Sequence, residues 1–314
     1  MLCSALGSAV ATNSGTELRT VLLVVAVGVL EITAPAPKVP DPTVGILAAT
    51  AAAPRQRITS RFILVSVTDS GGRTVFDVEP DDFVVREAGQ PRDVLSIRVA
   101  DYPIAIVLDN ASGAGREFDD MRRATGRFIG RLGRRPIAIA AANPPRMVAT
   151  LDDDRATLLQ RVNTLRKGAS ADGLFQAVVT AAQTIGAAGA PFSAVVAVVS
   201  NPGGPVPAEV LAPVLTSGTH VHVLVHQKAS GGRNPQRQQS LEMLADLVND
   251  TRGQLMVIYS QDAYQLALDR LGNQLAAELM VEYLVPAGSS SGSDVQLAVR
   301  LSGVKVSQWG VSQR

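Results

Sequence analysis

All three histidines of the chain, His220, His222 and His226, lie in one seven-residue run, His220-Val221-His222-Val223-Leu224-Val225-His226. Strand alternation places them on one face, with His220 and His222 roughly 7 Å apart. Two such imidazoles could begin a zinc site, but zinc needs at least a third protein ligand. None is evident nearby, and a parallel strand is covered by helices, so buried or rim histidines with local hydrogen bonds are expected. Gly113-Ala114-Gly115 opens like a dinucleotide-binding turn, yet Phe118 stands where the third glycine is required. There is no Gly-x-Ser-x-Gly nucleophile elbow, and Lys38, Lys167, Lys228 and Lys305, the only lysines, complete no phosphate-binding loop. Asp81-Asp82 and Asp152-Asp153-Asp154 supply neighbouring carboxylates. Each group precedes a hydrophobic run, which suits a turn or a helix start rather than paired acid and base. The lone cysteine, Cys3, excludes intramolecular disulfides, thiol redox pairs and cysteine-rich zinc sites. No catalytic residue is expected.

Three loops remain in which polar side chains collect: Asp109-Asn110-Ala111-Ser112-Gly113, Gly168-Ala169-Ser170-Ala171-Asp172-Gly173 and Ser200-Asn201-Pro202-Gly203-Gly204. The elements that position them follow from periodicity. Ile104 to Leu108 is a continuous apolar run of the kind buried on both faces of a parallel sheet. Phe118, Met121, Thr125, Phe128 and Leu132 then share one helical face. Ile137 to Ala142 is the next strand, and Met147 to Leu151 follows so closely that an antiparallel neighbour is expected. Leu158, Leu159, Val162 and Leu165 mark a helix opened by an aspartate of Asp152-Asp153-Asp154, and Leu174 to Ile185 mark another. Strand Ala194 to Val199, helix Ala208 to Leu215, strand His220 to Val225, helix Gln239 to Val248, strand Leu255 to Tyr259 and helix Asp262 to Leu275 continue the alternation. Such alternation implies right-handed crossovers and a doubly wound, mostly parallel α/β sheet. In that sheet ligands bind beyond the carboxyl ends of the strands, where the three loops fall.

The flanks are different. Phe62 to Thr68, Phe83 to Val85 and Val94 to Val99 on one side, and Leu279 to Val285, Val295 to Leu301 and Val304 to Trp309 on the other, are short β-rich runs. Neither flank has enough strands to be stable alone, so one small sandwich-like unit built from both ends of the chain is expected. The expected divisions are residues 1–54 as a leader, 55–100 as a β segment, 101–277 as the α/β domain and 278–314 as a β segment packing with 55–100.

With 314 residues, 46% of them hydrophobic, the chain can bury a sizeable core. Lys plus Arg number 29 against 28 Asp plus Glu, scattered along the chain, so there is no electrostatic footprint for nucleic acid or anionic lipid. Val21 to Leu30 is an apolar run behind Arg19, too short to span a membrane comfortably. It fits a signal or anchor for export to a periplasmic or extracellular location, or else an unstructured leader, with Ala49-Thr50-Ala51 as small residues further on. Gln227 to Gln239 reads as a long loop, either partner-binding or a surface excursion.

Several local phrases resemble the von Willebrand factor type A family, more closely its bacterial relatives in which a β segment precedes the A domain. They are Asp81 to Gly89, Pro103 to Asp109, Asp154-Arg155 and Asp250-Thr251-Arg252-Gly253, in that order along the chain. The resemblance implies a metal-ion-dependent adhesion site, with Asp-x-Ser-x-Ser in the first loop, Thr in the second and Asp in the third. Asp109 matches the leading Asp, but the serine positions hold Ala111 and Gly113, Ser170 stands for Thr, and Asn201 replaces the final Asp. Ser112 supplies a hydroxyl only if the loop shifts register. Mg²⁺ demands hard oxygen ligands in near-octahedral array. A degenerate site of Asp109, Ser112, Ser170 and Asn201 is therefore expected to be empty or at most weak for Mg²⁺, with no other cofactor. The expected function is a non-enzymatic, adhesion-like module that binds a protein partner through the strand-end loops. An enzyme using the same crevice, or a structural component of the cell envelope, are the alternatives.

Overall fold

The computed structural model describes residues 57–111, 115–168, 172–227, 234–289 and 294–312. The leader with Cys3, and Ser112 and Ser170 of the degenerate metal site, lie outside the described residues, as does most of the loop after His226. Chain order begins with strands β1 (Ile58–Asp69), β2 (Phe83–Glu87), β3 (Gln90–Arg92) and β4 (Val94–Val99). The chain then enters the α/β alternation with β5 (Ile104–Leu108), α1 (Gly115–Arg131), β6 (Ile137–Ala142) and β7 (Pro145–Ala149). The helix faces follow the sequence pattern: Phe118, Met121, Thr125 and Phe128 of α1 are all buried, with Leu132 just beyond its end.

Next come α2 (Arg155–Thr164), α3 (Leu174–Gly186), β8 (Ala194–Val199), α4 (Ala212–Ser217), β9 (His220–His226), α5 (Pro235–Asp250), β10 (Leu255–Ile258) and α6 (Ala263–Ala276). Asp154 caps α2 by accepting the Thr157 N–H at 2.7 Å. The helix expected from Ala208 to Leu215 is divided: a 3-10 turn over Ala208–Val210 precedes α4. Pro213 is the reason, because proline has no N–H to donate and is accepted only in a helix's first turn.

The six strands order as β10-β9-β8-β5-β6-β7, parallel throughout except that β7 runs antiparallel to β6. Strands β5, β6 and β8 are buried at every residue, as their unbroken apolar runs require. One face, with Ile104, Ile106 and Leu108, packs on Phe118, Phe128, Leu158 and Leu268 from α1, α2 and α6. The other, with Ala105 and Val107, packs on Phe175, Val178, Val214 and Leu244 from α3, α4 and α5. Fully burying each such Leu, Ile or Phe contributes about 1.5–3 kcal/mol.

The chain returns to β structure through β11 (Leu279–Pro286), β12 (Val295–Val299) and β13 (Val304–Val311). These complete two antiparallel sheets, β13-β1-β11-β4 and β12-β2-β3. The first strand is thus held between two late ones, with Ile63 opposite Val281 on one side and Val311 on the other. Ile63, Val65 and Val67 share a core with Phe83, Val85, Leu279, Val281, Tyr283 and Val285. Leu64 and Met280 face the other way, into the α/β core. Where the chain crosses between the two parts, a buried polar cluster sits. The Tyr102 hydroxyl donates to Glu278 Oε2 at 2.5 Å, Arg135 Nη2 lies 3.6 Å from the same oxygen, and the Arg135 guanidinium covers the Tyr102 ring at 4.4 Å. Burial pushes the Glu278 carboxyl up to about 7, against the opposing pull of Arg135 and Tyr102.

Candidate functional site

Strands β5 and β8 are neighbours, and the chain leaves β5 for α1 on one face of the sheet and β8 for α4 on the other, so their carboxyl ends form the switch point of the doubly wound sheet. Asp109 follows β5 directly and is fully buried there. Its Oδ1 accepts the Ala111 N–H at 3.0 Å and the Asn143 carboxamide at 3.2 Å. Its Oδ2 accepts the Ser200 N–H at 2.9 Å, the Ser200 hydroxyl at 2.8 Å and the Asn201 N–H at 2.7 Å. Burial pushes the carboxyl above its ordinary range, and these donors pull it back.

Asn110 clamps the neighbouring loops. Its carboxamide donates to the carbonyls of Asn143 at 2.6 Å and Arg166 at 2.9 Å, and its oxygen accepts the Asn143 N–H at 2.7 Å. The Asn110 carbonyl accepts the Gly168 N–H at 2.7 Å, and Asn143 Oδ1 accepts the Gly173 N–H at 3.1 Å. Both glycines are required by close approach. A Cβ on Gly168 would lie 2.0 Å from the Asn143 carbonyl oxygen, and one on Gly173 would lie 1.9 Å from that of Ala142. The segment from 168 to 173 is therefore anchored at both ends beside Asp109.

A second polar group meets the first at the end of β8. The Tyr264 hydroxyl lies 3.1 Å from the Val199 carbonyl and 2.9 Å from Glu117 Oε1, and His226 Nδ1 lies 2.7 Å from that same carboxylate oxygen. All three side chains are buried. With the carboxylate as acceptor, Nδ1 of His226 carries the proton. Burial, reinforced by Glu117, pushes the Tyr264 hydroxyl well above its ordinary range. His220 and His222 are buried too, and burial lowers their imidazoles to about 4 and about 3, so both are neutral near pH 7. Among the described residues, no three His, Cys, Asp or Glu side chains group as metal ligands would.

Of the four positions named from the sequence, Asp109 and Asn201 are brought together, but through the Asn201 backbone. The Asn201 side-chain oxygen instead accepts the N–H of Gly203 in its own loop at 3.4 Å. Ser112 and Ser170 lie outside the described residues. Two side chains reach Asp109: Ser200, which opens the third loop named from the sequence but was not counted among the site residues, and Asn143, which was not counted either; the signal available was that each directly follows a buried parallel strand. Glu117 and Tyr264 have no such signal, since each stands in the first turns of a helix on its buried face.

No protein-family model and no curated protein matches the chain. Among solved structures it is similar to a von Willebrand factor type A protein from Catenulispora acidiphila, at 12% identity over 80% of this chain and 72% of that one, with a TM-score of 0.48. It is also similar to the D319A mutant of the PilB minor pilin from Streptococcus sanguinis, at 8% identity over 57% and 62% of the two chains, with a TM-score of 0.45. A third is the vWF domain of the type V pili tip protein Mfa5 from Porphyromonas gingivalis, at 11% identity over 57% and 96%, with a TM-score of 0.43. The strand order itself makes the α/β part a doubly wound, mostly parallel sheet with one antiparallel edge. Among the described residues no helix is long and apolar enough to cross a membrane.

Proposed function

We propose that this chain is a non-enzymatic protein-interaction module, binding a protein partner through the loops at the carboxyl ends of β5, β6 and β8 without requiring a metal ion. The observation that carries the reading is the coordination of Asp109. A carboxylate offers about four lone-pair directions, and five protein donors already occupy them. Mg²⁺ needs hard oxygens free to turn toward it. Here it would have to displace backbone amides, and Asn201 adds no second negative charge, so the donor set does not fit the ion that the family resemblance implies. The carboxylate acts instead as the post to which the loops after β5, β6 and β8 are tied, presenting a fixed surface to a partner. Arg19 and the apolar run Val21 to Leu30 support export, and hence a partner outside the cytoplasm.

The test is capture of partners by the full chain and by Gly204→Arg. Gly204 lies in the third loop, and a Cβ there meets nothing within 4 Å, so a large side chain has open space to start from and would cover that surface, with an unchanged urea midpoint as the check on the fold. The reading predicts a partner retained in EDTA and lost with Gly204→Arg. Capture that needs Mg²⁺, or that Gly204→Arg leaves intact, contradicts it.

A further inference from the structure

Among the described residues strand β10 pairs only with β9, which leaves its outer edge without a strand partner there. The Gln254 and Ile258 carbonyls are taken by β9-side donors, Val223 N–H and Gln227 N–H. By alternation, Leu255 and Val257 direct their N–H and C=O groups outward, where no strand receives them. Such edges are ordinarily blunted by shortness, charge, proline, a bulge or a covering element. The chain's other edge strands show these devices: Pro145 and Arg146 with a register shift on β7, Lys305 with a register shift on β13, Arg98 with a register shift on β4, and Pro91 on β3. The edge of β12 lies against β13. Strand β10, Leu255-Met256-Val257-Ile258, is short at four residues but carries no charge and no proline, and its register with β9 is unbroken.

Beside this edge a groove of about 270 Å³ runs between β10 and α6, lined by Met256, Ile258, Ala267, Arg270 and Leu271. Val257 is 40% exposed, and Tyr259, two residues on, is 73% exposed. Two amide atoms bordering the groove, Gln254 Oε1 and Gln274 Nε2, have no hydrogen-bond partner among the described residues. Arg270 is exposed and makes no ion pair or hydrogen bond among the described residues.

We propose that β10 is a docking edge for an extended segment of a partner protein, which adds to the sheet as a seventh strand. Its apolar side chains, spaced two apart, enter the groove, and an acidic residue on the same face meets Arg270. Main-chain pairing with Leu255 and Val257 supplies affinity, and the groove and Arg270 supply selectivity. Charge favours this occupant over a second copy of the chain. Twofold pairing of β10 with its counterpart would bring two unpaired guanidinium groups to the same joint. The edge is separate from the strand-end loops, so the inference stands apart from the function proposed for them.

The test is a display library of random octapeptides selected on the immobilised full chain, followed by amide hydrogen exchange with a selected peptide bound. The expected sequences alternate apolar residues and carry Asp or Glu, and binding slows exchange at Leu255 and Val257. Placing a charge on the edge with Val257→Lys, or reversing the groove's charge with Arg270→Glu, should weaken binding by about tenfold or more, while Gly204→Arg leaves it unchanged. Enrichment of no such pattern, or binding indifferent to both substitutions, overturns the proposal. So does a dimer of the full chain in sedimentation that Val257→Lys dissolves, which would assign the edge to a second copy.

Discussion

Replacing Asp109 by Ala removes the acceptor of five hydrogen bonds at once: three backbone N–H groups, the Ser200 hydroxyl and the Asn143 carboxamide. A net bond to a charged group contributes about 1.5–3 kcal/mol, and an abandoned buried donor costs about 1–3 kcal/mol. These figures do not add, because the loops after β5 and β8 relax together and Asn201 is partly exposed, which lets water reach one donor. Burial of the charge, which raises the Asp109 carboxyl, also offsets part of the gain. A loss of about 3–5 kcal/mol is expected, the size of two or three such terms once the loops have relaxed. Asp109→Asn keeps one acceptor oxygen but turns an NH₂ toward N–H groups, and should lose roughly half as much. Urea unfolding of the full chain reads both, by the shift of midpoint at constant slope, and adding millimolar Mg²⁺ should move neither the natural chain nor the variants. An Asp109→Ala loss below about 1 kcal/mol, the value of a single ordinary hydrogen bond, would refute the view that this carboxylate ties the strand ends together.

Glu278 sets a pH dependence of definite sign. Its folded carboxyl holds a proton up to about 7, against 4.5 for an ordinary glutamate. The folded state therefore binds more protons between those values, and its contribution, fullest below pH 4.5, is lost as pH rises to 7 by about 3 kcal/mol; unfolding midpoints across that range should show the decline in the natural chain and not in Glu278→Gln. Gly168→Ala and Gly173→Ala each drive a Cβ into a carbonyl oxygen at 2.0 Å or less and should cost about 1–3 kcal/mol or more, read as a lower melting temperature. Ending the chain at residue 277 removes β11, β12 and β13, the hydrogen-bonded partners of β1 and β2. Dye binding to newly exposed Ile63, Val65 and Val67, with loss of exchange protection in β1, should follow; a native-like truncated chain would contradict the shared core.

The architecture was legible wherever burial imposes a pattern. Ile137 to Ala142 and Ala194 to Val199 are apolar throughout because both faces of each strand are covered, and the structure places strands over the same residues. Phe118, Met121 and Phe128 mark the buried face of α1 because a helix brings them round together. The three-residue strand Gln90–Arg92 carries no such mark, being a short edge with Pro91 at its centre. The site was legible only in part. Asp109 is recognisable as an acid after a buried strand, but its partners come from β8 and β6, 91 and 34 residues along the chain. Which strands flank β5 is a property of sheet order, not of local sequence. The same holds for Glu117 and His226, 109 residues apart, whose contact depends on α1 and β9 meeting over one face.

Metal-free recognition at the strand-end loops is tested most directly by calorimetric titration of a captured partner into the full chain, once in EDTA and once in millimolar Mg²⁺. The account predicts the same affinity in both, and its loss in Gly204→Arg. Binding that appears only with Mg²⁺ and vanishes in Asp109→Asn, with the variant still folded, would contradict it and restore Asp109 as a metal ligand.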